Sequence, residues 1–123
     1  MATLSGSALR GTVVSLGFSS TTVDLEVTDV TVVCDGPAVN GVVPRVQYDW
    51  RPGGAPGDTD DQLTWDDTNS RIVFTLTSTD TAGMALGHWD IYMLAGDPPT
   101  TQDDALTYDL NLYDARGGAM PVV

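Results

Sequence analysis

His88 is the single histidine and Cys34 the single cysteine of this 123-residue chain. Any triad or thiol–imidazole pair would have to be assembled around these two side chains. No Gly-x-Ser-x-Gly elbow supplies a nucleophile, and Cys34 closes the apolar run Val-Thr-Val-Val-Cys, where a thiol acts as a small buried apolar group. His88 stands beside Trp89 on a half-exposed face. Catalytic residues are therefore not assigned, and the chain reads as a non-enzyme.

Carboxylates are abundant, with 17 acids of which only Glu26 is not aspartate. Glycoside hydrolysis needs two of them across a cleft with one pKa raised, and acids crowded into loops do not meet that condition. Asp58, Asp60 and Asp61, joined by Asp66 or Asp67, are the calcium candidates, because a hard cation takes six to eight oxygens. They lack the ordered Asp-x-Asp-x-Asp-Gly spacing of a calcium loop, so the expectation is solvated loop acids and no cofactor or tightly bound metal. Gly53, Gly54 and Gly57 do not form a phosphate cradle, since Pro56 interrupts them and the following acids repel phosphate. Trp50, Trp65 and Trp89 offer rings for stacking on a sugar, but all three fall in phase with apolar strand faces, which assigns them to the core.

The elements that must position these residues are strands. Thirteen glycines and seven prolines punctuate the chain and argue for many turns and few long helices. Ile72, Phe74 and Leu76 alternate with Val73, Thr75 and Thr77, Trp89, Ile91 and Met93 follow with the same spacing, and Leu106, Tyr108, Leu110 and Leu112 alternate with Thr107, Asp109, Asn111 and Tyr113. This is the period of strands with one buried face. Val14–Phe18, Val23–Val27, Val30–Cys34, Val46–Trp50 and Leu63–Trp65 continue the pattern. Asn40-Gly41 between valines is a two-residue hairpin signal, because a type I′ turn needs positive φ at both central positions. Residues 51–62 hold two prolines, three glycines and three acids and are expected to be the longest loop. Ser78-Thr79-Asp80 marks a single helical turn, and Ala95–Asp104 is expected to be a second loop. The fold class is all-β: an antiparallel β-sandwich, immunoglobulin-like or jelly-roll-like, of about eight strands without a long helix. Residues 12–123 form one domain. Residues 1–11, with only Leu4 and Leu9 as sizeable apolar groups, are expected to be an N-terminal arm that docks on a partner through Leu4, Leu9 and Arg10.

Charge bounds the partners. Five arginines and no lysine against 17 acids give a net charge of −12, and a pI near 4.1. Nucleic-acid binding requires clustered bases that displace counterions, so no nucleic-acid partner is expected. No apolar run reaches the length of a membrane span and the first residues lack a secretory pattern. A soluble chain made in a cytoplasm, with no membrane partner, is expected.

The stretch from Phe74 to Met93, followed by Leu106-Thr-Tyr-Asp-Leu-Asn-Leu-Tyr-Asp-Ala-Arg-Gly-Gly, resembles a pattern of small tailed-bacteriophage virion proteins. There a strand, a Thr-Ala-Gly turn, an aromatic strand and a Tyr-Asp-Leu strand form the second half of an immunoglobulin-like or baseplate-upper-protein-like sandwich. The resemblance covers about a third of the chain and departs from the pattern at the insertion Ala95–Asp104. It implies a structural role in a virion: a capsid decoration or cement protein on the outer head surface, contacting the major capsid protein, other virion subunits or sister copies as a homo-oligomer. The alternative is a tail or baseplate module that recognises host glycan through Trp50 and Trp65.

Overall fold

A computed structural model describes residues 3–96, 98–102 and 107–114. Two sheets face each other as a β-sandwich. The larger has strand order β1 (Thr3–Leu9), β9 (Thr107–Tyr113), β7 (Gly87–Gly96), β3 (Val30–Asp35), β4 (Arg45–Trp50), and β8 (Pro99–Gln102) adds to the end of β7. The smaller has the order β2 (Val14–Phe18), β6 (Arg71–Leu76), β5 (Leu63–Asp66). This arrangement, with sequential hairpins exchanged between two sheets, is the immunoglobulin type rather than the jelly roll.

The alternating residues close the space between the sheets. Phe18, Ile72, Phe74 and Leu76 from the smaller sheet meet Val30, Val32, Cys34, Trp89, Ile91, Met93, Leu110 and Leu112 from the larger, all buried. Phe18 stands edge-on to Tyr108 at 5.3 Å and tilts onto Phe74 at 6.4 Å. The Tyr108 hydroxyl crosses to the other sheet and donates to the Gly17 carbonyl. The Asn40-Gly41 hairpin is present: Asn40 has φ 53° and Gly41 φ 79°, and Val39 and Val42 exchange both main-chain hydrogen bonds.

Four features differ from the sequence reading. Residues 22–28 alternate correctly yet form turns, not a strand. The Ser20 hydroxyl accepts from the Thr22 and Val23 amides and Asp24 Oδ1 accepts from Glu26 N, so local side-chain bonds satisfy the backbone that a sheet would otherwise pair. Leu25 still enters the core, whereas Val27 is exposed. Second, the expected loop Ala95–Asp104 contains β8, which pairs back on Leu94–Gly96. Third, the cap of the short helix α1 (Ser78–Ala82) is Thr77, whose hydroxyl accepts from Asp80 N while the Asp80 carboxylate accepts from Thr77 N.

The fourth difference concerns residues 1–11. In place of a separate arm, Thr3–Leu9 is β1, paired in register with Thr107–Tyr113. This pair is parallel, so the sandwich is not purely antiparallel. A parallel partner is available because the chain enters at β1 and closes at β9 running the same way, and the turn at Gly11 (φ 90°) then carries it into the other sheet. Leu106 and residues 115–123 lie outside the described residues.

Candidate interaction surface

The residues singled out for partner contact lie on an edge. β1 is the outermost strand of the larger sheet, and its sequence Thr-Leu-Ser-Gly-Ser-Ala-Leu carries no charge. Leu4 is 49% exposed and overhangs a mainly apolar cleft of about 240 Å³ lined by Ser5, Gly6, Leu16, Tyr108, Asp109 and Leu110, where the two sheets part beside β2. Ala8 turns inward onto the core and Leu9 is half-buried. Arg10 N–H donates to the Tyr113 carbonyl, and its guanidinium lies 3.6 Å from Asp114. Leu4 therefore faces open space, while Leu9 and Arg10 are engaged with their own domain.

The acids proposed for calcium do not converge. Asp58 accepts from Ala55 N at 2.9 Å and Asp60 from Asp49 N at 2.6 Å, while Asp61 is exposed. Asp58 braces its own turn, as short acidic side chains do, and Asp60 ties the loop to β4. Asp66 is likewise held locally, accepting from Asn69 and from Arg71 Nε at 3.1 Å. Residues 51–62 are consequently a stitched loop: Arg51 N reaches the Thr59 hydroxyl, Asp60 N the Asp49 carbonyl, and Leu63 N the Asp60 carbonyl. The Arg51 guanidinium ties this loop to the sheet through the Val30 and Trp50 carbonyls.

The tryptophans divide. Trp89 is buried and donates to the Ala85 carbonyl at 2.9 Å. Trp50 is 8% exposed and donates to the Leu25 carbonyl at 2.8 Å. Trp65 stacks on Trp50 with centroids 6.4 Å apart and keeps one side toward solvent. His88 is exposed and its Nδ1 sits 2.9 Å from Asp109 Oδ1. No hydroxyl or thiol among the described residues shares a hydrogen bond with His88, so the imidazole has an orienting acid but no adjacent nucleophile. No helix among the described residues is long and apolar enough to cross a membrane.

Burial pushes the Cys34 thiol up to about 12, with the Asp35 charge adding to it. The thiolate fraction at pH 8 is then negligible, and the group is also sterically shielded. Iodoacetamide is expected to leave folded protein unlabelled at pH 8 and to add one carbamidomethyl group in denaturant, as read by intact mass. Rapid labelling of the native chain would contradict the burial.

A cluster that sequence patterning missed joins three strands of the larger sheet. The Asp35 carboxylate accepts from Arg45 Nε at 2.6 Å, Arg45 Nη2 at 3.0 Å and the Tyr92 hydroxyl at 2.8 Å. These residues are far apart in sequence, and only the register Asp35↔Arg45 and Asp35↔Asp90 brings them together. The Arg45 hydrogen bond holds Asp35 below its ordinary value; burial works upward against it, and the Tyr92 bond and the Arg45 charge add to the lowering. The Asn69 amide, with help from Arg71, lowers Asp66 in the same way. For Asp80, partial burial works upward and is outweighed by hydrogen bonds from Thr77 and Gln62. A carboxyl whose folded value is depressed contributes stability that is present above its unfolded value and is lost as pH falls through the folded one. The melting temperature is expected to be flat above about pH 5 and to fall progressively below about pH 4. Asp35→Asn should shallow that acid limb; a limb that stays unchanged would remove Asp35 from the account.

Searches of family profiles and of curated proteins find no match to the chain. Among solved structures, it is similar to the extracellular domain of a voltage-gated sodium channel beta4 subunit, at TM-score 0.48 and 10% identity over 94% of this chain and 95% of that one. That domain is described as a parallel homodimer with a role in cell–cell adhesion.

Proposed function

We propose that the chain is a non-enzymatic structural protein of a phage particle, seated on the outer head surface as a decoration or cement protein. The observation that carries this reading is the open, uncharged edge of β1 beside the apolar cleft under Leu4. An exposed strand edge provides main-chain attachment to another subunit, and an adjacent cleft takes a side chain. The major capsid protein, other virion subunits and sister copies are the partners such an edge would serve. Repetition on a symmetric lattice turns a modest contact into firm attachment. The net charge of −12 favours the outside of the shell, because packaged DNA would repel it.

Glycan recognition at a tail or baseplate would need Trp50 and Trp65 as an open platform. Trp50 is buried and its N–H is taken by Leu25, which leaves that reading the outer side of Trp65 alone. Negative-stain microscopy of particles with and without the protein tests the proposal. Density at symmetric head positions that vanishes without the protein is expected. Density confined to the tail, or particles that do not differ, would overturn it.

A further inference from the structure

The outward side of β1 can be read from a single bond. Arg10 N–H donates to the Tyr113 carbonyl of β9, and main-chain groups alternate sides along a strand. Leu4, Gly6, Ala8 and Arg10 thus bond toward β9, whereas Thr3, Ser5 and Ser7 present their N–H and C=O groups away from the domain. The Leu9 carbonyl also points outward but is taken by Thr12, through its amide at 3.2 Å and its hydroxyl at 2.6 Å. Among the described residues no strand pairs with this outer side.

Other edges are protected by the usual devices. β4 carries Arg45 and Asp49 and follows Pro44. β5 is four residues long and ends on Asp66. β2 is uncharged, but the Gly17 carbonyl on its outer side is taken by Tyr108. β1, like β2, has no charge and no proline, and its register with β9 has no bulge, but among the described residues no side chain from the other sheet takes a carbonyl on its outer side. The first acid of the chain is Asp24, so an acidic molecule of net charge −12 has here a face that a second copy can approach without meeting carboxylates on the strand. The nearest acids on β9 and beyond, Asp109 and Asp114, are partnered by His88 and Arg10.

The strand is also nearly its own mirror in sequence, Leu-Ser-Gly-Ser-Ala about Gly6. We infer that two copies associate through antiparallel pairing of their β1 strands about a two-fold axis at Gly6, joining the larger sheets into one. Ser5 of each copy then lies opposite Ser7 of the other, and these outward-facing residues exchange both main-chain hydrogen bonds. Gly6 meets Gly6 in the closer, non-hydrogen-bonded type of pair. Leu4 of one copy faces Ala8 of the other, large against small, and closes over the apolar cleft. Such an interface is isologous and self-limiting, as a closed dimer requires. This deepens the assembly reading above by naming the sister copy as the occupant of the edge.

Sedimentation equilibrium of the full chain tests it. The wild type is expected at twice the 13.0 kDa monomer mass, dissociating on dilution. The double substitution S5D/S7D places acid opposite acid on both sides of the axis and is expected to give monomer with an unchanged melting curve at low protein concentration. The double substitution S5D/S7K places acid opposite base in this register and should restore the dimer, more strongly at low salt. If the doubly acidic variant melts early, Ser7→Pro replaces it, since it removes only an outward N–H. A wild type that stays monomeric, a dimer that survives S5D/S7D or Ser7→Pro, or an S5D/S7K variant as monomeric as S5D/S7D would overturn the proposal. A monomeric wild type leaves the particle location to microscopy. A dimer absent from particles overturns only the location.

Discussion

Trp89→Ala is expected to destabilise the domain by about 3–5 kcal/mol, the range for removing a large aromatic side chain from a packed core. Trp89 is 2% exposed on β7, between β9 and β3, and its indole N–H is held by Ala85. The site is filled on its far side by the backbone of Gly36. A Cβ at Gly36 would stand 2.6 Å from Trp89 Cη2 and 2.7 Å from Cζ2, inside any real contact distance. The ring cannot swing clear without breaking its bond to Ala85, and Gly36 cannot retreat because its N–H donates to the Pro44 carbonyl at 2.9 Å. Gly36→Ala is therefore expected to cost about 1–3 kcal/mol by overpacking. The two effects are coupled: in the background of Trp89→Ala the added methyl meets a cavity and should be neutral or favourable. Urea denaturation of the two single variants and the double variant reads this directly. Additive losses would show that Gly36 and Trp89 do not share one space.

Thr81→Val is expected to be the next most damaging change, although it keeps the shape of the side chain. Thr81 is fully buried, its hydroxyl donates to the Thr12 carbonyl at 2.7 Å and it accepts from Gly11 N at 3.0 Å. A valine leaves both main-chain groups without their partner, at about 1–3 kcal/mol for each that stays buried. The Gly11–Thr12 turn is where the chain passes from β1 to β2, so the loss falls on the connection that holds β1 against β9. Thr81→Ser retains the hydroxyl and should recover most of the stability. Hydrogen exchange adds a local readout: amides of β1 are expected to lose protection in Thr81→Val before those of β3 and β7 do. Uniform loss across all strands would mean that the turn and the core open together.

Much of the sandwich was legible beforehand because burial in a strand has a period of two. Phe74, Leu76, Trp89, Ile91, Leu110 and Leu112 are buried as their alternation requires, and Tyr108 packs at the rim. The Asn40-Gly41 turn was equally legible, since few residue pairs tolerate positive φ twice in succession. Both signals are local. The same signal misled over Val23–Val27, where Ser20 and Asp24 satisfy the backbone from within the segment and the alternation serves only to seat Leu25.

What the sequence by itself determined, then, is which residues face inward, where tight turns fall, and that the surface is acidic. The tertiary structure alone decided which strands are neighbours. Main-chain hydrogen bonds are the same for every residue, so nothing in Thr-Leu-Ser-Gly-Ser-Ala-Leu announces a partner. Its place beside β9, parallel to it, follows from where both sheets leave an edge unpaired. The same reason hid the Asp35, Arg45 and Tyr92 cluster, whose members meet only through cross-strand register. It also turned a supposed loose arm into the strand whose other side remains open.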